Sequence, residues 1–286
     1  MFIGSTTGTT QSIFRQLSVA MLLALSLLPT CVAHPLEQLE GLKRFNRDAT
    51  LYSPAAPTQA LLSQLDIKDV RLGHNILNQV IKLSDQGGEL HTVTGGTRSE
   101  KATISFFQPY QDSRLEQRID LYFNKHSGFI QQINLRYFIA SAYLSIEPIR
   151  TQALQAAITK YGPPLTMQAV RQRVKRNQGQ IKVSQFVQTL EDTSPATQQY
   201  FKKLNISRNA LITSDQQDYA LFHTGFDQCY LWPRDNYNEV LSFCGFAPNA
   251  ANAASRGLEF SLVNFTIADV ITESQHQAPD IPQLSL

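Results

Sequence analysis

Residues 117–164 read QRIDLYFNKHSGFIQQINLRYFIASAYLSIEPIRTQALQAAITKYGPP, and this stretch decides the fold class. In its first eight residues Ile119, Leu121 and Phe123 alternate with Arg118, Asp120 and Tyr122. A period of two is the signature of a strand with one buried face. Ser127-Gly128 supplies a turn, because glycine tolerates positive φ. The next run alternates as well. Phe129, Gln131, Ile133, Leu135 and Tyr137 fall on one side, Gln132, Asn134 and Arg136 on the other. The pair reads as an antiparallel hairpin with one dry and one wet face. A helix follows. Glu147-Pro148 opens it, where proline's missing amide costs nothing. Ile149, Ala153, Leu154, Ala157, Ile158 and Tyr161 recur at helical spacing. Gly162 can close the helix, and Pro163-Pro164 stop it from continuing. The expected arrangement lays this helix on the hairpin's dry face, since each offers the apolar surface the other needs.

The chain has 286 residues, 42% hydrophobic and 17% charged, which suits a globular core. Residues 1–33 carry one Arg and no acid, so 24 basic and 23 acidic residues remain beyond them. That balance gives no global argument for nucleic acid or for a membrane surface. Residues 1–33 themselves read as a secretory signal peptide. Arg15 precedes an apolar run from Leu17 to Leu28, Pro29 breaks it, and Cys31-Val-Ala33 places small residues at the cleavage position. The run is short for a membrane span. The expected localisation is therefore periplasmic or secreted. Leu28-Pro29-Thr30 departs from the small-residue pattern that precedes a lipidated cysteine.

Cleavage after Ala33 would leave two cysteines, Cys229 and Cys244. An even count in an exported chain argues for a disulfide. The segment reads CYLW, PRDNYN, EVLSFC, so a symmetric hairpin sets the two directly opposite one another. Closing that loop should be worth about 3 kcal/mol.

The rest of the chain divides by composition. Residues 34–65 read as an N-terminal amphipathic helix and linker, with Leu36, Leu39, Leu42 and Phe45 on one side. Residues 66–164 form an α+β module. In it Asn75 caps a helix bearing Ile76, Leu77, Val80, Ile81 and Leu83. Leu90–Thr94 and Thr103–Gln108 are strands around Gly95-Gly96. Residues 165–207 are a basic helical insert. Between Pro148 and Leu190 stand seven basic residues and no acid. Thr166–Arg176 and Ser184–Leu190 read as helices there, Ser194-Pro195 as the start of a third, with a strand hairpin turning at Asn177–Gly179 as the competitor. Residues 208–272 form a disulfide-stapled antiparallel β module with strands near 210–214, 219–224, 229–232, 240–246 and 258–271. Residues 273–286 are a tail with two prolines. The expected fold class is thus α+β, with antiparallel sheets packed by helices in an N-terminal helix-plus-sheet module and a C-terminal mostly-β module.

Chemistry-bearing motifs are absent. Six histidines are scattered without ligand spacing, and neither HExxH, GxSxG nor GxxxxGK occurs. Gly179-Gln-Ile181 resembles the centre of a calcium loop. Its liganding positions would be Val174, Arg176, Gln178 and Gln185, which carry no carboxylate. No metal, cofactor or catalytic residue is therefore assigned. Two places could bind something. One is the basic stretch with Arg171, Arg173, Lys175 and Arg176, extending to Lys182. The other is Trp232-Pro-Arg234 at the tip of the stapled hairpin, since loop tips often carry contacts. His223 with Asp227 is the pair from which a dispersed hydrolase site would be built.

Ile67-Lys-Asp-Val-Arg-Leu-Gly73, followed by the helix through Val80 and then strands, is similar to small bacterial envelope modules of the BamE/SmpA type. Lys160-Tyr-Gly-Pro163 resembles a helix end found in uncharacterised exported bacterial proteins. Gly87-Gly88 stands where that family has glycine-proline after its first helix, and no functional residue carries over. The resemblance, over residues 66–164, implies a protein-contact role in the envelope. The leading expectation is an exported, non-enzymatic protein whose partner is another envelope protein. Nucleic acid is not expected, and membrane association is weak at most. Its rivals are a secreted hydrolase near His223 and an anionic-surface binder using Arg171–Lys182.

Overall fold

A computed structural model of the chain describes residues 39–45, 65–95, 99–139, 144–174, 180–191, 201, 206–223, 227–234, 237–246 and 258–264. The leader (1–33), the linker at 52–57, Lys175, Arg176, Asn177–Gly179, Ser194-Pro195 and the tail (273–286) lie outside the described residues.

The deciding stretch folds as its alternation requires. Strand β3 (Ser113–Asn124) and strand β4 (Ile130–Ile139) pair antiparallel. Their turn is held by Asn124, whose Oδ1 accepts the amides of His126 at 2.8 Å and Ser127 at 3.0 Å. Gly128 takes φ +69° there. One detail differs from a regular alternation. The register shifts between Tyr122 and Phe123, which leaves Gln131 as an extra residue. A bulge of this kind turns the following residue to the other face. Ile130, fully buried, therefore takes the core position beside Phe123, while Phe129 is only half-buried.

Two further strands precede the hairpin, β1 (Glu89–Gly95) and β2 (Ser99–Tyr110). Six follow: β5 (Ile181–Lys182), β6 (Leu211–Ser214), β7 (Ala220–His223), β8 (Asp227–Arg234), β9 (Glu239–Phe246) and β10 (Leu258–Asn264). All ten join one antiparallel sheet in the order β1-β2-β3-β4-β10-β9-β8-β7-β6-β5. The α+β class stands, but the sheets of the expected N- and C-terminal modules are a single continuous sheet. Each half is a meander running from an outer edge to the middle, where the last strands, β4 and β10, pair. The physical reason is legible in the register. Ile104, Ile119, Leu135, Phe260, Phe243 and Tyr230 form one row across six strands. Separating the halves would cut that row and leave two long strand edges unpaired.

The helices divide between the two faces. The apolar row belongs to the first face. Three helices share its core: α1 (residues 39–45), α2 (Ile76–Asp85) and α3 (Glu147–Tyr161). Asn75 caps α2 by accepting the amide of Leu77 at 2.9 Å. The helix lying on the first strands is α2, through Ile76, Val80 and Leu83. The expected partner of the hairpin, α3, buries Ile149, Ala153 and Ala157 in the same core but is tied at its end to β8. Trp232 Nε1 donates to the carbonyl of Gly162 at 2.8 Å, and Arg234 Nη2 donates to that of Tyr161 at 2.7 Å. The last carbonyls of a helix have no partner within it, so β8 supplies two.

The second face carries a separate core. Helices α4 (Met167–Arg173) and α5 (Val183–Glu191) bury Val170, Phe186, Val187 and Leu190 against Ile212, Phe222, Leu231 and Val240. Thr166 caps α4 by accepting the amide of Ala169 at 3.2 Å. The described helices of the basic segment belong to this core. Their apolar sides cover the second face of the sheet over β5–β9. Cys229 and Cys244 stand in register on that face and form a disulfide with Cα atoms 4.1 Å apart, as the symmetric hairpin requires.

Candidate interaction surface

The core under α4 and α5 runs from β5 to β9 and ends at Val263 of β10, and the second face of β2, β3 and β4 carries no described helix. Four rows of side chains line it. The central row runs Thr103, Asp120, Asn134, Ser261 and Ser242, all buried and polar. Burial of polar groups is tolerated when each is bonded, and these are. Thr103 Oγ1 donates to Asp120 Oδ1 at 2.7 Å. Asn134 Oδ1 accepts from Ser261 Oγ and from Gln132 Nε2, both at 2.9 Å. Ser242 Oγ donates to the Ser261 carbonyl at 3.4 Å.

On one side of that row stand Lys101, Tyr122 and Gln132. On the other stand Ser105, Arg118, Arg136 and Glu259, and beyond them Phe107, Glu116 and Phe138. Arg136 reaches two acids, Glu259 at 2.5 Å and Asp120 at 3.6 Å. Burial opposes its charge, but Glu259 and Asp120 outweigh burial and lift its pKa above the usual guanidinium value. Arg118 binds Glu116 at 2.9 Å. Tyr122 is pushed up by burial and by the Asp120 carboxylate. Cations also lie on the rings: Arg114 is 4.0 Å from the centre of Phe107, Arg118 5.1 Å from that of Phe138 and Lys101 6.0 Å from that of Tyr122.

The residues nominated from sequence lie elsewhere. Arg171 is exposed at the end of α4, and Arg173 lies over the ring of Tyr237 at 4.6 Å. Lys182, in β5, is exposed. Trp232 is 1% exposed within β8. It and Arg234 bond the end of α3 instead of standing free at a hairpin tip. His223 Nε2 bonds the hydroxyl of Thr213 at 2.7 Å, on the neighbouring strand. Burial lowers its pKa. A shallow groove along the outer side of α3, lined by Pro148, Thr151, Gln155 and Thr159, offers one titratable group, Lys160, and Asp66 already binds it.

Sequence reading marks Arg118, Asp120, Tyr122, Asn134 and Arg136 as wet-face residues. It misses that they share a surface with Phe107, Phe138 and Glu259, because the pairing of β4 with β10 joins residues 123 positions apart in Arg136–Glu259. The alternation within β2, from Lys101 to Phe107, was the available signal. Among the described residues no three His, Cys, Asp or Glu side chains are placed to hold a metal, and no helix is long and apolar enough to cross a membrane. Compared with protein-family models, with curated proteins and with solved structures, the chain matches none.

Proposed function

We propose that this is an exported protein of the cell envelope, without enzymatic activity, that works by holding another envelope protein against the open half of its sheet. The observation that carries the reading is the one-sided cover of the second face. Helices close it over β5–β9, while over β2–β4 it ends in a bonded polar row topped by aromatic and arginine side chains. Aromatic residues and arginine are what protein interfaces concentrate. Export is supported by the leader-like residues 1–33 and by the disulfide, a bond that persists in oxidising compartments. The envelope setting draws also on the similarity of residues 66–164 to BamE/SmpA modules.

The test is site-specific photo-cross-linking in a host that exports the chain. A cross-linker at Phe138 should trap one discrete protein in the periplasmic fraction, and one at Gln155 on the outer side of α3 should not. Cytosolic retention of the uncleaved chain, or no adduct from Phe138, would refute the reading.

A further inference from the structure

The charges on the open face are layered. Asp120 is 2% exposed and Glu116 21%, whereas Lys101 and Arg136 are 33% exposed and Arg118 39%. The acids therefore lie beneath and the cations above, with Glu259 alone among the acids equally exposed at 33%. Arg118 and Arg136 are moreover paired directly across β3 and β4. Like charges facing one another across strands are unfavourable. Each is relieved from its own side, Arg118 by Glu116 and Arg136 by Glu259 and Asp120. No described acid bonds both guanidinium groups.

We infer, resting on the protein-binding reading above, that this surface takes an acidic segment of its partner, with a carboxylate seated between Arg118 and Arg136 and apolar side chains against Tyr122 and Phe138. Guanidinium pairs carboxylate in a fixed, forked geometry, so the site recognises discrete carboxylates. A nucleic acid fits less well. Four cations (Lys101, Arg114, Arg118, Arg136) against three acids leave one net positive charge, too little to displace a phosphate backbone's counterions.

The probe is a short labelled peptide alternating Glu and Tyr, titrated with the full oxidised chain and followed by fluorescence anisotropy. Its Lys–Tyr counterpart, an oligothymidylate and phosphatidylglycerol vesicles are the comparisons. The Glu–Tyr peptide should bind and the Lys–Tyr peptide should not. Arg118→Gln should weaken binding roughly tenfold, as loss of one charge-assisted pair does. Arg118→Lys should lose less, and Arg171→Gln on α4 should change nothing. A melting temperature that stays well above the assay temperature in Arg118→Gln separates lost binding from lost folding. Equal binding of oligothymidylate or vesicles, with the same dependence on Arg118, would overturn the proposal in favour of a general polyanion site. So would binding only by a chain ended at Asn264, because residues 265–286 hold Asp269, Glu273 and Asp280 without a Lys or Arg and would then be the occupant. Failure of the peptide alongside a Phe138 adduct from cells would overturn the acidic partner and leave the protein-binding reading standing.

Discussion

The indole nitrogen of Trp232 donates to the carbonyl of Gly162 at 2.8 Å. One side chain thus links the second meander of the sheet to the end of α3. The ring is buried against Tyr161, centroids 6.5 Å apart. Trp232→Phe keeps most of the apolar area but removes the donor. It should lower unfolding stability by about 1–2 kcal/mol, the cost of leaving a partly buried carbonyl unpaired. Trp232→Ala should cost roughly 3–5 kcal/mol, because a cavity is added. Urea titrations of the three proteins measure both steps.

Gly128 and Phe45 form a second constraint of the same kind. A Cβ on Gly128 would stand 2.7 Å from Phe45 Cδ1, and the residue also holds φ +69°. Gly128→Ala should therefore destabilise by about 2–4 kcal/mol, combining left-handed strain with overpacking. The two causes separate in a double-mutant cycle. In a Phe45→Ala background the ring clash disappears, leaving the backbone strain, roughly 1–2 kcal/mol, and the lesser contact at 3.1 Å with the Cβ that alanine keeps. Equal costs in both backgrounds would exclude the ring as the obstacle.

Local signals carried most of the secondary structure. The hairpin of β3 and β4, the helix Glu147–Tyr161, the cap Asn75 and the Cys229–Cys244 bond all follow from spacing or from turn residues. What local signals cannot hold is which edges meet. The pairing of β4 with β10 sets Leu135 beside Phe260, and no periodicity within either strand announces it. The two faces were lost for the same reason. Val170 and Val174 are buried. Nothing near them tells that they cover the face opposite the one that α2 and α3 cover. Once that is known, the candidate surface follows, since none of the described helices reaches the polar wet face of β2–β4.

His223 and His74 set a dependence on pH. Burial lowers both below the ordinary imidazole value, with Arg71 and Lys82 adding to the effect at His74. The folded protein thus binds these protons less readily than the unfolded chain. Where the unfolded state holds more protons, stability rises with pH. Stability should therefore be complete above an unfolded pKa of about 6.5 and decline as pH falls through the folded values. At His223 the ring Nε2 is paired with the Thr213 hydroxyl, and protonation fixes Nε2 as the donor of that pair. Chemical denaturation between neutral and mildly acidic pH should show the decline, and His223→Gln should flatten it. An NMR titration giving His223 a pKa at or above the ordinary value would contradict this account.

Asp120 decides whether the open face has a rigid floor. Its carboxylate accepts from Thr103 at 2.7 Å and lies 3.6 Å from Arg136 and 3.9 Å from Lys101. Being almost sealed from solvent, it is poorly screened by salt. Asp120→Asn preserves shape and removes the charge. Removal of one partner from a buried pair costs roughly 3–5 kcal/mol when both ions are enclosed. Here Arg136 is a third exposed and retains Glu259, so the loss should be nearer 1–3 kcal/mol, the range for a hydrogen bond to a charged group. The loss should persist in molar salt, unlike that of Arg118→Gln, whose pair with Glu116 is more open to solvent. Denaturant titrations of both variants at low and high salt compare the two directly. A salt-sensitive loss at Asp120 would mean that its charge reaches solvent, and the layering of acids beneath cations would fail with it.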